Sequence, residues 1–140
     1  MSKHPHPFTM PVRVYYEDTD AGGVVYHASY VRFMERARTE WLRDFGYTAL
    51  GMMREFGMLF VVRSLKVDYL RPALLDDMLT VSAGVKEVGR SRLVVHQAVR
   101  RHEELLAEGE VHLVCVTKDA FRPVPIPEIL SKQWGRQGKG

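Results

Sequence analysis

Several residue types are scarce or absent in this sequence of 140 residues. Cys115 is the only cysteine, so no internal disulfide can form. There is no asparagine, which excludes an N-glycosylation acceptor. No apolar run approaches the roughly 18 residues of a membrane-spanning helix, and the first residues lack the apolar segment of a secretion signal. These absences predict a cytoplasmic protein without a membrane span.

The charged residues are spread along the chain and form no long runs. The formal net charge is +3 at pH 7, and no run of five or more basic residues occurs, so we expect no nucleic-acid partner. Neither a Walker nor a Rossmann glycine motif is present. The histidines nearest Cys115 lack the close spacing of zinc ligands: His96, His102 and His112. We therefore predict neither a metal site nor an organic cofactor.

The strongest periodic signal predicts a long helix from Ser29 to Phe45. Apolar residues recur there at steps of four, three, four and four, which places them on one face: Tyr30, Met34, Ala37, Trp41 and Phe45. Ser29 is a suitable N-cap, and Gly46 is suited to end the helix. So wide an apolar face indicates that the helix packs against a broad surface, such as a sheet.

Strand patterns occupy most of the remaining sequence. We predict strands at residues 11–16, 58–70, 78–88, 93–101 and 109–118, a short helix at 49–56 and a last helix at 127–134. The ends, at about residues 1–9 and 135–140, are expected to be flexible. This order predicts a single α+β domain over residues 1–140, with one antiparallel sheet of about five strands wrapped around a long central helix. Such a sheet leaves edges uncovered, so we expect a homodimer or a homotetramer.

Reactive side chains are densest between Tyr16 and Tyr30, at the joint between the first strand and the long helix. This segment includes Asp18, Asp20 and His27. A helix N-terminus presents free backbone N–H groups and a partial positive charge, which can polarise a carbonyl. A carboxylate in the preceding loop can attack that carbonyl or activate a water molecule. Turn-forming and capping roles for the same residues are the alternative that the pattern alone leaves open.

The segment YYEDTDAGGVVYHASY, residues 15–30, closely resembles the opening signature of the Tol-Pal-associated acyl-CoA thioesterases. These enzymes belong to the 4-hydroxybenzoyl-CoA thioesterase branch of the hotdog superfamily. Weaker similarity continues at residues 33–40, 60–63, 75–79 and 114–116, so the resemblance covers about residues 11–130. It implies the hotdog fold and hydrolysis of an acyl-CoA thioester to free acid and CoA, without a cofactor.

The resemblance also assigns catalytic roles. Asp20 corresponds to the family's catalytic aspartate, which acts as nucleophile or general base. His27 corresponds to the family's histidine, and its backbone N–H to the donor that polarises the carbonyl at the start of the central helix. Tyr16 corresponds to a family tyrosine, which would orient the carboxylate or the substrate oxygen. Asp18 is expected to serve the turn instead, by accepting backbone N–H groups.

A second group of residues is predicted to contact substrate. Arginine binds phosphate through paired hydrogen bonds, so arginines are expected near the entrance for CoA. The resemblance also implies that Glu87 or Ser91, in the turn around Gly89, reaches the site of a neighbouring subunit, although a plain β-turn explains the same residues. The substrate-binding candidates are Tyr30, Phe60, Arg63, Glu87, Arg90, Ser91 and Arg92. The acyl pocket is expected to be lined by Phe33, Met52, Met53, Met58 and Phe60.

Two alternatives remain open at this point. The first is a thioesterase for an aromatic acyl-CoA, of the hydroxybenzoyl or dihydroxynaphthoyl type. The second is a non-catalytic scaffold for lipid-synthesis or envelope proteins, whose partners would be acyl carrier protein or phospholipid-synthesis enzymes. The presence of both Asp20 and His27 favours an enzyme. The sequence leaves open the acyl chain, the carrier (CoA or acyl carrier protein) and the choice between dimer and tetramer.

Overall fold

The computed structural model describes residues 7–139, and the side chains of residues 7–135. One strand, two helices, four consecutive strands and a last helix follow one another within this range: β1 (Phe8–Arg13), α1 (His27–Asp44), α2 (Ala49–Phe56), β2 (Met58–Tyr69), β3 (Met78–Val88), β4 (Arg92–Arg101), β5 (Glu104–Thr117) and α3 (Glu128–Lys139). A short 3-10 turn at Tyr16–Asp18 follows β1. None of the helices in this range combines the length and the apolar character needed to cross a bilayer.

The strands form one antiparallel sheet of five strands in the order β1-β3-β4-β5-β2. The long helix α1 buries one face against this sheet, through Tyr30, Phe33, Met34, Ala37 and Trp41. The predicted α+β architecture is therefore confirmed, with β1 and β2 at the edges of the sheet.

A glycine lets α1 lie close to the middle of the sheet. A Cβ atom at Gly109 in β5 would lie 2.9 Å from the Sδ atom of Met34, nearer than packed atoms approach. A side chain at this position would require the end of the Met34 side chain to move. Gly109 therefore leaves room for Met34 between α1 and β5.

The first strand lies earlier in the chain than predicted. β1 spans Phe8–Arg13 and pairs with β3, whereas a strand at residues 11–16 was expected. The chain leaves the sheet after Arg13 because the carboxylate of Asp18 accepts the N–H of Tyr15 and closes a tight turn. The expectation of an irregular segment is thus wrong for residues 8 and 9, while residues 1–6 lie outside the described part of the chain.

Three other boundaries also differ. α1 begins at His27, with Tyr26 as the N-cap, so the prediction of Ser29 as the cap is wrong. β5 begins at Glu104, not at residue 109, because a two-residue turn with His102 at a φ of 56° joins it directly to β4. α3 continues to Lys139, so the predicted tail is helical over residues 135–139.

The single thiol belongs to one of the two clusters of buried apolar residues that form the core. Cys115 is fully buried in β5, among residues that also include Trp41 and Trp134. Burial raises the pKa of Cys115 to about 11. Since the thiolate is the nucleophilic form, this thiol is inert at neutral pH, as its apolar sequence context predicted.

Candidate active site

Asp18 fixes the loop that precedes α1. Its carboxylate accepts the backbone N–H of Tyr15 at 2.9 Å. Its carbonyl oxygen accepts the N–H of Tyr26 at 3.0 Å and the hydroxyl of Ser29 at 3.0 Å. The side chain is only 5% exposed. The expected structural role of Asp18 is confirmed, and Ser29 ties the first turn of the helix to the loop instead of capping it.

Asp20 lies in a tight turn next to this anchor. Its Oδ1 atom accepts the N–H of Gly22 at 2.8 Å, and its own N–H donates to the carbonyl of Val24 at 2.9 Å. Gly23 has a φ of +81°, and a Cβ atom at Gly22 would lie 3.3 Å from Oδ1 of Asp20. The two glycines therefore permit the turn, which leaves the carboxylate exposed, with Oδ2 unpartnered within residues 7–135.

The start of α1 presents free donors beside this turn. An antiparallel bridge joins Thr19 to Val25, so the Asp20 turn folds back just before His27. The first N–H groups of a helix have no acceptor within the helix. No hydrogen bond occupies the N–H of His27 or Ala28 in the described part of the chain. Asp20 and the helix start thus lie in one compact segment.

Tyr69 is a residue of this site that the sequence did not indicate. Its hydroxyl donates to the carbonyl of His27 at 3.2 Å. Its ring packs edge to face against His27 at 4.8 Å and against Tyr30 at 5.3 Å. Burial raises the pKa of Tyr69, which keeps the hydroxyl protonated as a donor. The contact joins residues 42 positions apart, so no local pattern reveals it.

The two tyrosines that the sequence predicted for the site occupy different environments. Tyr30 is 3% exposed, and its hydroxyl accepts the N–H of Ala73 at 2.9 Å. The structure therefore places Tyr30 in the core, where it holds the segment before β3, and not at a substrate surface. Tyr16 is 81% exposed, and its hydroxyl makes no hydrogen bond to Asp20. Within one chain Tyr16 therefore does not orient the Asp20 carboxylate, and its other predicted role, orientation of the substrate oxygen, stays a prediction.

An ion pair anchors the segment at residues 70–77 to β4. Arg101 donates to Oδ2 of Asp77 at 2.7 Å, and the N–H of Leu74 donates to the same oxygen at 2.8 Å. Desolvation raises the pKa of Asp77, but these two hydrogen bonds outweigh it and lower the pKa overall. Leu74 forms a bridge with Val24, so this network also supports the turn that carries Asp20.

The predicted CoA-binding residues lie far from Asp20 in the same chain. Glu87, Arg90, Ser91 and Arg92 surround the turn between β3 and β4, where Arg92 pairs with Glu87 at 3.1 Å. β3 begins beside Asp77 and runs for 11 residues to this turn, a length of roughly 35 Å along the strand, so the turn lies at the other end of β3 from the segment that contacts the Asp20 loop. Arg63 is exposed on β2, at a bulge between Val62 and Ser64. One chain alone does not bring the two groups together.

Comparisons with known proteins identify the family. A family model described as the thioesterase-like superfamily matches residues 14–134. The chain belongs to this superfamily. The acyl-CoA thioesterase YbgC of Haemophilus influenzae is 46% identical over 121 residues, covering 86% of this chain and 89% of that protein. The acyl-CoA thioester hydrolase YbgC of Escherichia coli is 48% identical over 122 residues, covering 86% and 90%.

A solved structure supports the same assignment. The crystal structure of a probable thioesterase from Bartonella henselae superposes with a TM-score of 0.82 at 31% identity. The match covers 87% of this chain and 100% of that chain. The sheet around α1 is thus the hotdog fold of the thioesterase-like superfamily.

This thioesterase-like chain contains a cavity of about 320 Å³ beside α1. Three of the residues predicted for the acyl pocket line it, Met52, Met53 and Phe60, whereas Phe33 and Met58 are buried and are not among its lining residues. The complete lining is Glu35, Arg38, Thr39, Trp41, Leu42, Ala49, Met52, Met53, Leu59, Phe60, Val62, Leu93, Leu113 and Trp134. In the described residues, no three His, Cys, Asp or Glu side chains lie together in a way that would hold a metal ion.

Proposed function

We propose that this chain hydrolyses acyl-CoA thioesters to free acid and CoA, at the turn that carries Asp20. The observation that carries this proposal is the position of an exposed carboxylate beside the free N–H groups at the start of α1. A thioester needs a polarised carbonyl and an attacking oxygen, and this segment offers both. The relatives named as acyl-CoA thioesterases support the same activity.

The carbonyl oxygen of the thioester would accept the N–H of His27, at the positive end of the α1 dipole. In one route, a carboxylate oxygen of Asp20 bonds to the carbonyl carbon, the C–S bond breaks, CoA thiolate leaves, and water then hydrolyses the mixed anhydride. In the other, water attacks the carbon while Asp20 takes its proton, and CoA thiolate leaves in the same way. Both routes require a charged Asp20.

The complete site is proposed to form between two copies of the chain. The separation of Asp20 from the Arg90–Arg92 turn within one chain supports this arrangement. β2 supports it too, because it is an edge strand with exposed apolar side chains at Val62, Leu65 and Tyr69. Light scattering should therefore show a homodimer or homotetramer, and a stable monomer of about 16.1 kDa would contradict it.

Finer assignments rest on the signature at residues 15–30. Its resemblance supports membership of the Tol-Pal-associated subgroup and a place in the cytoplasm. Acyl carrier protein and phospholipid-synthesis enzymes are the protein partners that this assignment favours. Copurification of tagged full-length protein with acyl carrier protein, compared between wild type and a variant reversed at Arg90 and Arg92, tests that contact.

The test of the activity is hydrolysis of a chain-length series of acyl-CoAs, with hydroxybenzoyl-CoA included. Wild type and Asp20→Asn should be compared side by side, after circular dichroism has shown that both are folded. Hydrolysis that depends on Asp20 is expected. A folded wild type that hydrolyses none of the thioesters would favour the scaffold, and a preference for the aromatic ester would favour the aromatic alternative.

A further inference from the structure

A buried amide fixes an arginine in the wall of the 320 Å³ cavity. Arg38 of α1 donates through Nη1 to Oε1 of Gln97 at 2.9 Å. Gln97 is fully buried, and its Nε2 donates to the carbonyls of Met34 at 2.8 Å and Ser82 at 3.3 Å. These hydrogen bonds engage both the Oε1 and the Nε2 atoms of Gln97, so they fix the orientation of the amide. The guanidinium of Arg38 is therefore held in one orientation at the cavity.

Arg38 shares the cavity wall with the carboxylate of Glu35, but the two side chains form no ion pair. No ion pair joins Arg38 to Glu35 or to another acid within residues 7–135. Loss of hydration lowers the pKa of Arg38, while the charge of Glu35 raises it. An arginine carries five N–H donors, and one of them is engaged by Gln97. Donors therefore remain available to a ligand.

Two aromatic rings form the apolar part of the same wall. Trp41 and Trp134 line the cavity and stack on each other with ring centroids 5.2 Å apart. The indole N–H of each ring is buried, so it is not exposed to a ligand in the cavity. The guanidinium of Arg38 therefore lies beside an apolar surface.

We propose that Arg38 is a specificity-determining residue, which selects acyl groups that carry an oxygen acceptor away from the thioester. This inference rests on the proposed thioesterase function. The apolar body of the acyl group lies against Trp41, Trp134 and Phe60, and a carboxylate or hydroxyl oxygen accepts from the guanidinium. A purely aliphatic group fills the same space but leaves the donors of Arg38 without an acceptor, and it binds less well for that reason.

The length of the selected acyl group has a geometric consequence. Arg38 lies eleven residues beyond His27 in α1, which is about 16 Å along the helix axis. If the thioester carbonyl and the distal acceptor oxygen of the acyl group bind to the same chain, the acyl group must span that distance. If they bind to two copies of the chain, this distance along the helix does not set the length of the acyl group. A series of lengths therefore separates the two arrangements.

The experiment compares pairs of thioesters that differ in the distal oxygen alone. The pairs are 4-hydroxybenzoyl-CoA with benzoyl-CoA, and mono-CoA esters of dicarboxylic acids with fatty acyl-CoAs of equal carbon number. Arg38→Met should lower kcat/KM for the oxygenated member of at least one pair by about tenfold or more, because a charge-assisted hydrogen bond is lost. The apolar member of that pair should be nearly unaffected, and Arg38→Lys should recover part of the loss. Arg43→Met, an exposed change on the same helix, is the matched control.

A binding measurement separates this inference from the catalytic one. Trp41 and Trp134 are the two tryptophans of the chain, so intrinsic fluorescence reports occupancy of this cavity. Titration of the same pairs into Asp20→Asn and into Asp20→Asn with Arg38→Lys gives Kd without turnover. The inference is overturned if oxygenated and apolar members bind with equal Kd and show the same ratio of kcat/KM in wild type and both Arg38 variants. Absence of hydrolysis with selective binding retained would overturn only the catalytic proposal.

Discussion

The hydroxyl of Tyr69 donates to the backbone carbonyl of His27 at 3.2 Å, and the two rings meet edge to face. Tyr69 is the last residue of β2, the edge strand, and His27 is the first residue of α1. The contact therefore links the edge of the sheet to the first turn of the helix, where we propose that the thioester carbonyl binds. Pairing of β2 with a second copy of the chain would order the end of β2 and the first turn of α1 together.

Replacing Tyr69 tests this link. Tyr69→Phe keeps the ring and removes one hydrogen bond, so it should lower the free energy of unfolding by about 1 kcal/mol and leave turnover near that of wild type. Tyr69→Ala also removes the support of the His27 ring and should lower kcat further. Urea unfolding and steady-state kinetics measure the two effects. Wild-type kcat in Tyr69→Ala would show that the ring does not position the helix start.

The three predicted catalytic residues should differ in the loss that each causes. Asp20→Asn removes the reactive carboxylate and should lower kcat by about a hundredfold to ten-thousandfold. His27→Ala keeps the backbone donor and should lower kcat less than Asp20→Asn. Tyr16→Phe removes one exposed hydroxyl and should lower kcat least of the three. Steady-state hydrolysis of one acyl-CoA by all three variants gives the order. Near wild-type turnover by Asp20→Asn would refute its assignment.

Asp18 should affect stability more than turnover. Asp18→Asn removes the negative charge from a buried acceptor of the Tyr15 N–H, and Asp18→Ala removes the acceptor itself. The expected loss is about 0.5 to 2 kcal/mol in the free energy of unfolding, larger for Ala than for Asn. Kinetics should be measured below the unfolding transition of each variant. A loss of kcat in folded Asp18→Asn equal to that in Asp20→Asn would leave the two acids indistinguishable as catalysts.

Charge reversal at the proposed entrance for CoA should raise KM. CoA carries several phosphate charges, so the triple change Arg63→Glu, Arg90→Glu and Arg92→Glu replaces attraction by repulsion, and Arg92→Glu also faces Glu87. The effect should be larger at low salt, because salt screens exposed charges. Arg43→Glu, on the exposed face of α1, is a control for total charge. Unchanged kinetics in the triple variant would remove these arginines from the site.

Asp77 should make stability depend on acid pH. Its pKa is lowered in the folded state, so the unfolded chain binds the proton more tightly, and the stabilisation is lost as the pH falls through the folded pKa. Asp77→Asn should therefore lower the free energy of unfolding by about 1 to 3 kcal/mol at pH 7, and by less at about pH 3. Asp76→Asn is the control, since Asp76 is exposed and asparagine accepts its positive φ of 72°. An equal loss at both pH values would contradict the role of the charge.

Local patterns predicted much of the architecture. The apolar spacing of Met34, Ala37 and Trp41 predicted the buried face of α1, and the bounds of α2 agree with the prediction at Ala49–Phe56. The start of α1 was misplaced because serine is a residue type that commonly caps helices. The hydroxyl of Ser29 instead donates to the carbonyl of Asp18, eleven residues away. A capping preference does not reveal such a competing acceptor.

The site was only partly predictable for a related reason. Asp20 and its glycines are adjacent in the sequence, so their turn was visible there. The contacts of Tyr69 with His27 and of Tyr30 with Ala73 join residues 42 and 43 positions apart. These pairs meet because strand β2 ends beside the start of α1, which follows from the packed fold and not from a local pattern.

The burial of Cys115 makes the chain convenient for measurements between copies in solution. Burial raises the pKa of this thiol to about 11, which disfavours the reactive thiolate at neutral pH, so the folded chain should resist maleimides. Glu103→Cys, in the exposed hairpin between β4 and β5, would then be the one position that takes a spin label or a dye. Paired labels would report the distance between subunits directly, and the native cysteine need not be removed first.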